Sequence, residues 1–596
     1  ETGEYNEYPL NGLSHLFGYN ILQGVNEEVR LGRTLQTVSS VSGNYQILPS
    51  LSLAGLVGID LSMNRDDNQR PLTIPAFAAD GGSVLVNNRR SVNVNTNVTL
   101  NYSKTFNDVH ALKAIAGYEY KFEEREGASL TAIGFSNAFF RLPTDGIPDA
   151  TTGFFNEYKR LGYFGKLDYS FNDKYFLSGT LRRDGHSRFG EVNPYGTFYA
   201  GSVGWMISEE SFMAGMDFID DLKLKASYGV LGNADIGDYR TNTNFGASTG
   251  QYAGQTTLSI TQLGNDQISW EEEESINLGV DFSVLDNRFY GTVDVWRTNN
   301  NDLLFDVPFL QTSGITDNEI IQNIGSVRNQ GIDIELGAVV INSGGFRWDT
   351  RFNTTFLKNE VTKLVDSDTL GGDIPTFIVG QPVDFFYLLE YAGVNPANGR
   401  AMIRDKDGNL AYSGSFEDGA VRGSSIPTNY GGWTNTFGYK GISLDVFFQY
   451  QFGNEAFNQD FYNLMNGGGV GNKLTGVLNR WQQPGDITNY PKVTPNNTIL
   501  GIDQNYGFIG TTRFMSDGSY VRLKTITLSY DLPQSILGRA KIRSLKLFVQ
   551  GVNMLTWTKY NGIDPEVIAN NNSTGVSAYG TYPLGRQFSA GINLGL

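Results

Sequence analysis

The chain has three imidazoles, His15, His110 and His186, and no cysteine. Metal sites and nucleophilic centres draw on these groups first, yet the histidines lie far apart and lack metal-ligand spacing. The missing cysteine removes disulfides, thiolate ligands and a cysteine nucleophile together. No GxSxG elbow offers an activated serine. Asp405-Lys406-Asp407-Gly408-Asn409 opens like a calcium loop, but an EF-hand needs Gly at its sixth position and a carboxylate at its twelfth, where this sequence has Leu410 and Phe416. A polar β-turn is the simpler reading. Glu271 to Glu274, after Trp270, could draw calcium or a cationic ligand; they also suit a solvated strand entrance. Phe385-Phe386-Tyr387 and Tyr462 could stack on sugar rings or pack peptides, and equally could pack a loop or form a membrane girdle. The expectation is a non-enzyme with no catalytic, cofactor or metal residue beyond calcium at those carboxylates, and with its substrate contacts unassigned.

Composition narrows the class further. The net charge is -17, with 45 basic and 62 acidic residues, which argues against a nucleic-acid partner. No run of eighteen apolar residues exists, so a helical membrane span is excluded. Glycine contributes 71 residues and aromatics 13% of the chain. That pairing favours strands, tight turns and interfacial girdles. A mean hydropathy of -0.27 is compatible with a membrane barrel, whose lumen and loops are polar. Glu1 to Asn20 lack the basic start and apolar run of a signal peptide, so the chain is expected to begin after any targeting segment.

The elements that would carry this composition are alternating strands. At the C-terminus Phe588, Ala590, Ile592, Leu594 and Leu596 alternate with Gln587, Ser589, Gly591, Asn593 and Gly595. Phe588, Ile592, Leu594 and Leu596 resemble the assembly signal of outer-membrane barrels, with Leu596 where an aromatic is usual. From Ile276 to Trp296 a hairpin alternates around the turn Leu285 to Arg288, with Leu278, Val280, Phe282 and Val293 on one face and Asp281 and Asp294 on the other. Leu161 to Leu181 repeats the design. Short turns near Leu48 to Ser50, Asn107 to Val109, Asn172 to Lys174, Ser343 to Gly345 and Lys440 to Gly441 alternate with long polar connections at Arg65 to Asn88, Gly134 to Glu157, Leu231 to Gln267, Val365 to Tyr430 and Asn458 to Asp517. Short turns on one side and long loops on the other are the asymmetry of an all-β, antiparallel transmembrane barrel. The pattern yields roughly 17 strands.

Several stretches resemble the SusC/RagA family of TonB-linked outer-membrane transporters. They are SYVRLKTITLSYDLP and VNMLTWTKYNGIDPEV within Ser519 to Val567, RRDGHSRFG at Arg182, VGWMISEESFM at Val203, LKLKASYGVLGN at Leu222, IGSVRNQGIDIEL at Ile324 and GQPVDFFYLLEYAGVNPANG at Gly380. The resemblance implies a barrel of the 22-stranded type in the bacterial outer membrane, importing a bulky oligosaccharide or peptide. It implies as partners a SusD-like surface lipoprotein, the TonB complex, the barrel assembly machinery, and lipid with lipopolysaccharide. Residues 1–596 are expected to be the C-terminal part of the barrel. The family's periplasmic domain, TonB-binding segment, plug and first strands are not recognised in them. The rival is a SusC-like barrel serving as a structural subunit of another assembly or secretion complex.

Two finer expectations follow. In SYVRLKTITLSYDLP, unbroken alternation puts Arg522 and Lys524 on the apolar side with Ile526 and Leu528, snorkelling to headgroups, while Asp564 to Val567 anchor a loop. The first strand, near Gly32 to Leu48, and the last, Gln587 to Leu596, run in the same direction. An odd number of strands must then separate them, and 22 less roughly 17 leaves about five.

Overall fold

The computed structural model describes residues 21–595 apart from 138, 140–141, 253–254, 309–318, 365–366, 372–374, 466–472, 494–497, 500–501, 504–509, 539–541 and 567–581. Leu596 and His15 therefore lie outside the described residues.

Among the described residues seventeen strands form one sheet. They are β1 (Val29–Leu48), β2 (Leu51–Arg70), β3 (Ser83–Phe106), β4 (His110–Ile133), β5 (Ile147–Phe171), β6 (Tyr175–His186), β7 (Tyr195–Met206) and β8 (Ile219–Asn233), then β9 (Glu271–Val284), β10 (Phe289–Pro308), β11 (Glu319–Ser343) and β12 (Phe346–Leu364). β13 (Asn429–Tyr439), β14 (Ile442–Phe452), β15 (Tyr520–Asp531), β16 (Ser544–Thr558) and β17 (Gln587–Gly595) complete it. Each strand pairs antiparallel with its neighbours in chain order.

The tight turns explain why the chain reverses where it does. Asn107 and Asp108, Asn172 and Asp173, Leu285 to Asn287, Gly344 and Gly345, and Lys440 and Gly441 all have positive φ, a conformation that Asn, Asp and Gly adopt most cheaply. All the turns expected from sequence fall on one rim. Two connections there are longer than a tight turn: residues 207–218, which hold two short 3-10 helices, and residues 532–543, with a helix at Gln534–Leu537.

On the opposite rim two expected loops shrink. β2 runs to Arg70 and β3 starts at Ser83, while β4 runs to Ile133 and β5 starts at Ile147. About half of each polar stretch, Arg65 to Asn88 and Gly134 to Glu157, is thus paired strand, because backbone pairing continues wherever a neighbour is available even when the side chains are polar.

The two faces differ as the alternation requires. Leu53, Val57 and Ile59, Leu278 and Val295, and Phe588, Ile592 and Leu594 are exposed on one face. Across that sheet Leu53 pairs with Leu100, Ile59 with Val94 and Leu278 with Val295. A belt of unburied aliphatics this wide is solvated by lipid rather than water. No helix among the described residues is long and apolar enough to cross a membrane; the strands do so.

β1 pairs with β2 and β17 with β16, and among the described residues no pairing joins β1 to β17. Seventeen antiparallel strands leave those two edges pointing the same way, so they cannot pair antiparallel with each other.

Candidate functional site: an ion-paired inner wall beneath packed loops

The face opposite the aliphatic belt carries charge, and the register explains how the charges meet. Gly279 on β9 stands between Lys225 of β8 and Asp294 of β10. Lacking a side chain, it lets Lys225 reach across β9: Nζ lies 2.8 Å from Asp281 and 3.2 Å from Asp294. A Cβ at Gly279 would collide with Lys225 Cε and Asp294 Oδ1. Thr292 Oγ1 donates to Asp281 at 2.9 Å. The device recurs at Gly162 on β5, between Glu119 of β4 and Asp184 of β6. There Arg182 donates to Glu119 and to Asp184, each at 2.7 Å, and a Cβ would strike Asp184 and Arg182. Glu123 joins the same wall, accepting from Tyr158 at 2.6 Å and pairing with Lys121 at 3.0 Å. Asp281 and Asp294 face this wall and Leu278, Val280, Phe282 and Val293 the other side, as the alternation predicts. Ionised groups paired this way keep a face wettable without leaving a bare charge against lipid.

At the long-loop rim the network becomes buried. Arg522, whose side chain is 2% exposed, lies 2.5 Å from Asp564 and 3.0 Å from Glu566. Lys524 reaches Glu566 at 2.6 Å. Asp564 also accepts the amides of Glu566 at 3.0 Å and Leu584 at 3.1 Å. This overturns the expected snorkelling of Arg522 and Lys524. Phe448 pairs with Leu523 but the adjacent Phe447 pairs with Thr525, so Lys524 is an extra residue that reverses the facing of β15. Arg522 lies opposite Gln449 on the inner face, while Leu523, Ile526 and Leu528 share the outer one. The Asp564 element is the loop anchor that its sequence suggested.

Above the wall the loops pack on cores of their own. Phe189, Phe198, Val230, Ile236, Ile268, Trp270 and Ile321 form the largest cluster. A second joins Phe386, Leu388 and Phe457, with Tyr462 and Phe514 against it, so Phe386 and Tyr462 serve loop packing. Arg513 stacks over Tyr391 and Tyr490, and burial pushes its guanidinium below the ordinary value. Glu455 stands opposite Asp517 in a small loop ladder; burial first, then that carboxylate, hold its pKa above the usual range.

The other singled-out residues have local roles. Asp405 caps the turn by accepting the amides of Asp407 and Asn409 at 3.0 and 2.8 Å. Glu271 accepts from Leu304 N and from Asn233, and Glu274 from Tyr228. His110 bonds Tyr169 at 2.8 Å, and His186 accepts the Arg188 amide and stacks on Tyr158. Among the described residues no group of three His, Asp or Glu gathers in metal-binding geometry.

Comparison with known proteins agrees with this architecture. The family described as TonB dependent receptor-like, beta-barrel, matches over residues 3–384. TonB-dependent receptor P3 of Formosa agariphila is 30% identical over 92% of this chain and 57% of its own length. TonB-dependent receptor SusC of Bacteroides thetaiotaomicron is 28% identical over 73% of this chain and 43% of its own. The chain thus spans about half the length of these curated relatives. Among solved structures, the RagAB peptide transporter superposes with a TM-score of 0.83 at 26% identity, covering 96% of this chain and 63% of that one.

Proposed function

The chain belongs to the TonB-dependent receptor-like β-barrel family, in its SusC/RagA-type branch in the outer membrane, and from that premise we propose that it forms the wall of an importer for a bulky nutrient, an oligosaccharide or a peptide. The observation that carries the proposal is the two-sided wall: aliphatic outside, ion-paired inside, and capped on one rim by loops with their own buried cores. A pore for a polar cargo needs a wettable lining, and capture from outside needs a structured loop surface. The wall itself performs no chemical step. Lys225, Asp281, Asp294, Glu119 and Arg182 line a polar lumen, and the Arg522 network fixes a loop over it. The proposal requires no resident cofactor, and calcium has no part in it.

In this reading a SusD-like lipoprotein sits over the long loops, TonB supplies the energy, and the barrel assembly machinery inserts the protein using Phe588, Ile592, Leu594 and Leu596. The edges of β1 and β17 are joined by an odd number of strands, five if the barrel has 22. The test is uptake. Deleting the gene should abolish growth on, and accumulation of, one class of labelled oligosaccharide or peptide, and a proton uncoupler should do the same to the wild type. Unchanged uptake of every substrate, with the protein purifying as part of a secretion complex, would favour the structural-subunit rival instead.

A further inference from the structure

On the lipid-facing side, a groove of about 550 Å³ opens where β12 rises past the start of β13. Asn429 begins β13 opposite Phe356; beyond it, Leu357 N bonds to the carbonyl of Thr428, and backbone pairing on that side resumes at Val361 with Gly380 and Gln381. The result is a step in the sheet. Its floor is Ile276, Leu278, Val295, Ile332 and Phe356, each between 41% and 55% exposed. Among the described residues its charged lining is Arg297 and Lys358, with no carboxylate. Arg297 donates to Gln330 at 3.1 Å, and among the described residues no carboxylate pairs with it. Lys358 meets Glu360 at 2.6 Å but remains 64% exposed.

Height decides what can sit there. Arg297 is eight residues above Phe289 and Lys358 twelve above Phe346, both counted from the tight-turn rim. With about 3.3 Å per residue and a tilt of roughly 40°, Arg297 stands about 20 Å up, and Lys358, in the same register row through Gln330 and two strands away, lies within about 6 Å of that height, both near the outer edge of an apolar band about 25 Å tall. A floor within the band and two cations at its edge match an amphiphile with an anionic head. A second outer-face groove, lined by Arg33, Arg65 and Arg90, has Asp67, Glu124 and Glu126 paired with those three arginines, whereas Glu360 offsets Lys358 alone here and leaves the charge of Arg297 over.

We propose that the β9–β12 groove is a site for a phosphate-bearing lipid of the outer leaflet, its chains on Leu278, Val295 and Ile332 and its phosphate between Arg297 and Lys358. The guanidinium supplies paired donors to the phosphate and the ammonium a point charge. The site is independent of what the barrel transports.

The test uses full-length protein in a neutral detergent and native mass spectrometry, with phosphatidic acid and diacylglycerol of identical chains as probes. Wild type should prefer phosphatidic acid roughly tenfold, the factor one charge-assisted contact supplies, and the Arg297→Gln/Lys358→Gln variant less than about twofold. Arg183→Gln, on the outer face but outside the groove, should behave as wild type. Equal binding of the two probes by wild type overturns the proposal without any variant. A preference that survives the double substitution overturns it too, as does inorganic phosphate displacing the lipid as well as phosphatidic acid does.

Discussion

Replacing Asp564 by Ala removes the carboxylate that holds Arg522 and the amides of Glu566 and Leu584. Among the described residues Glu566 is then the remaining acidic partner of Arg522, and it is shared with Lys524. With the guanidinium 2% exposed, water cannot replace the lost partner without opening the loop. Breaking a buried pair from one side costs about 3–5 kcal/mol. Hydrogen exchange at the Asn561 amide, which donates to Ser516 rather than to Asp564, reads the opening of this loop apart from the acceptor that the substitution deletes. Protection should fall by at least about a hundredfold, since about 1.4 kcal/mol corresponds to each factor of ten. The companion variant Arg522→Met/Asp564→Leu removes both charges and should regain most of the protection, because an apolar pair needs no desolvation of ions. A loss below about threefold in the single variant, or a double variant as open as the single one, would mean that charge burial does not drive the anchor.

Other outcomes follow from the same structure. Val280→Lys should impair assembly by about 2–4 kcal/mol while Asn277→Lys, on the inner face, is tolerated; heat-modifiable gel mobility separates the two. Gly279→Ala should cost about 1–3 kcal/mol by forcing Lys225 away from Asp294, seen as a lowered thermal midpoint that the same change at Gly43, with open space around it, does not produce. The Glu455 pKa is raised in the folded loops, so its contribution to stability is present below its unfolded value and lost as pH rises through the folded one. Protease resistance of the loop around Glu455 should therefore decline from acid toward neutral pH, and Glu455→Gln should flatten that profile.

Much of the wall was legible because a strand's period of two leaves a direct trace. Leu278 and Asp281 reveal their faces on inspection, and Asn172-Asp173 and Lys440-Gly441 mark turns through the conformations they tolerate. Arg522 was misread because alternation was carried through Lys524. The trace was nevertheless present: the apolar positions are odd at Val521 and Leu523 and even at Ile526 and Leu528, and only an extra residue between them accounts for the switch. The ladders beyond Arg65 and Glu157 were missed because polar side chains conceal a strand whose pairing is backbone alone. The loop core around Phe189, Ile268 and Trp270 has no periodic signal, since its members come from segments far apart in sequence. The glycine crossings at Gly162 and Gly279 needed the register before their purpose could be seen.

If these strands are most of the wall of an importer barrel, electron cryomicroscopy of the full-length protein extracted from outer membranes will show it. An odd number of additional strands, five for a 22-stranded barrel, should lie between Val29–Leu48 and Gln587–Gly595, with lipid against Leu278 and Val295 and a lipoprotein seated on the loops around Phe386 and Phe457. Direct pairing of the two edge strands, or Asp281 and Asp294 turned toward lipid, would contradict it.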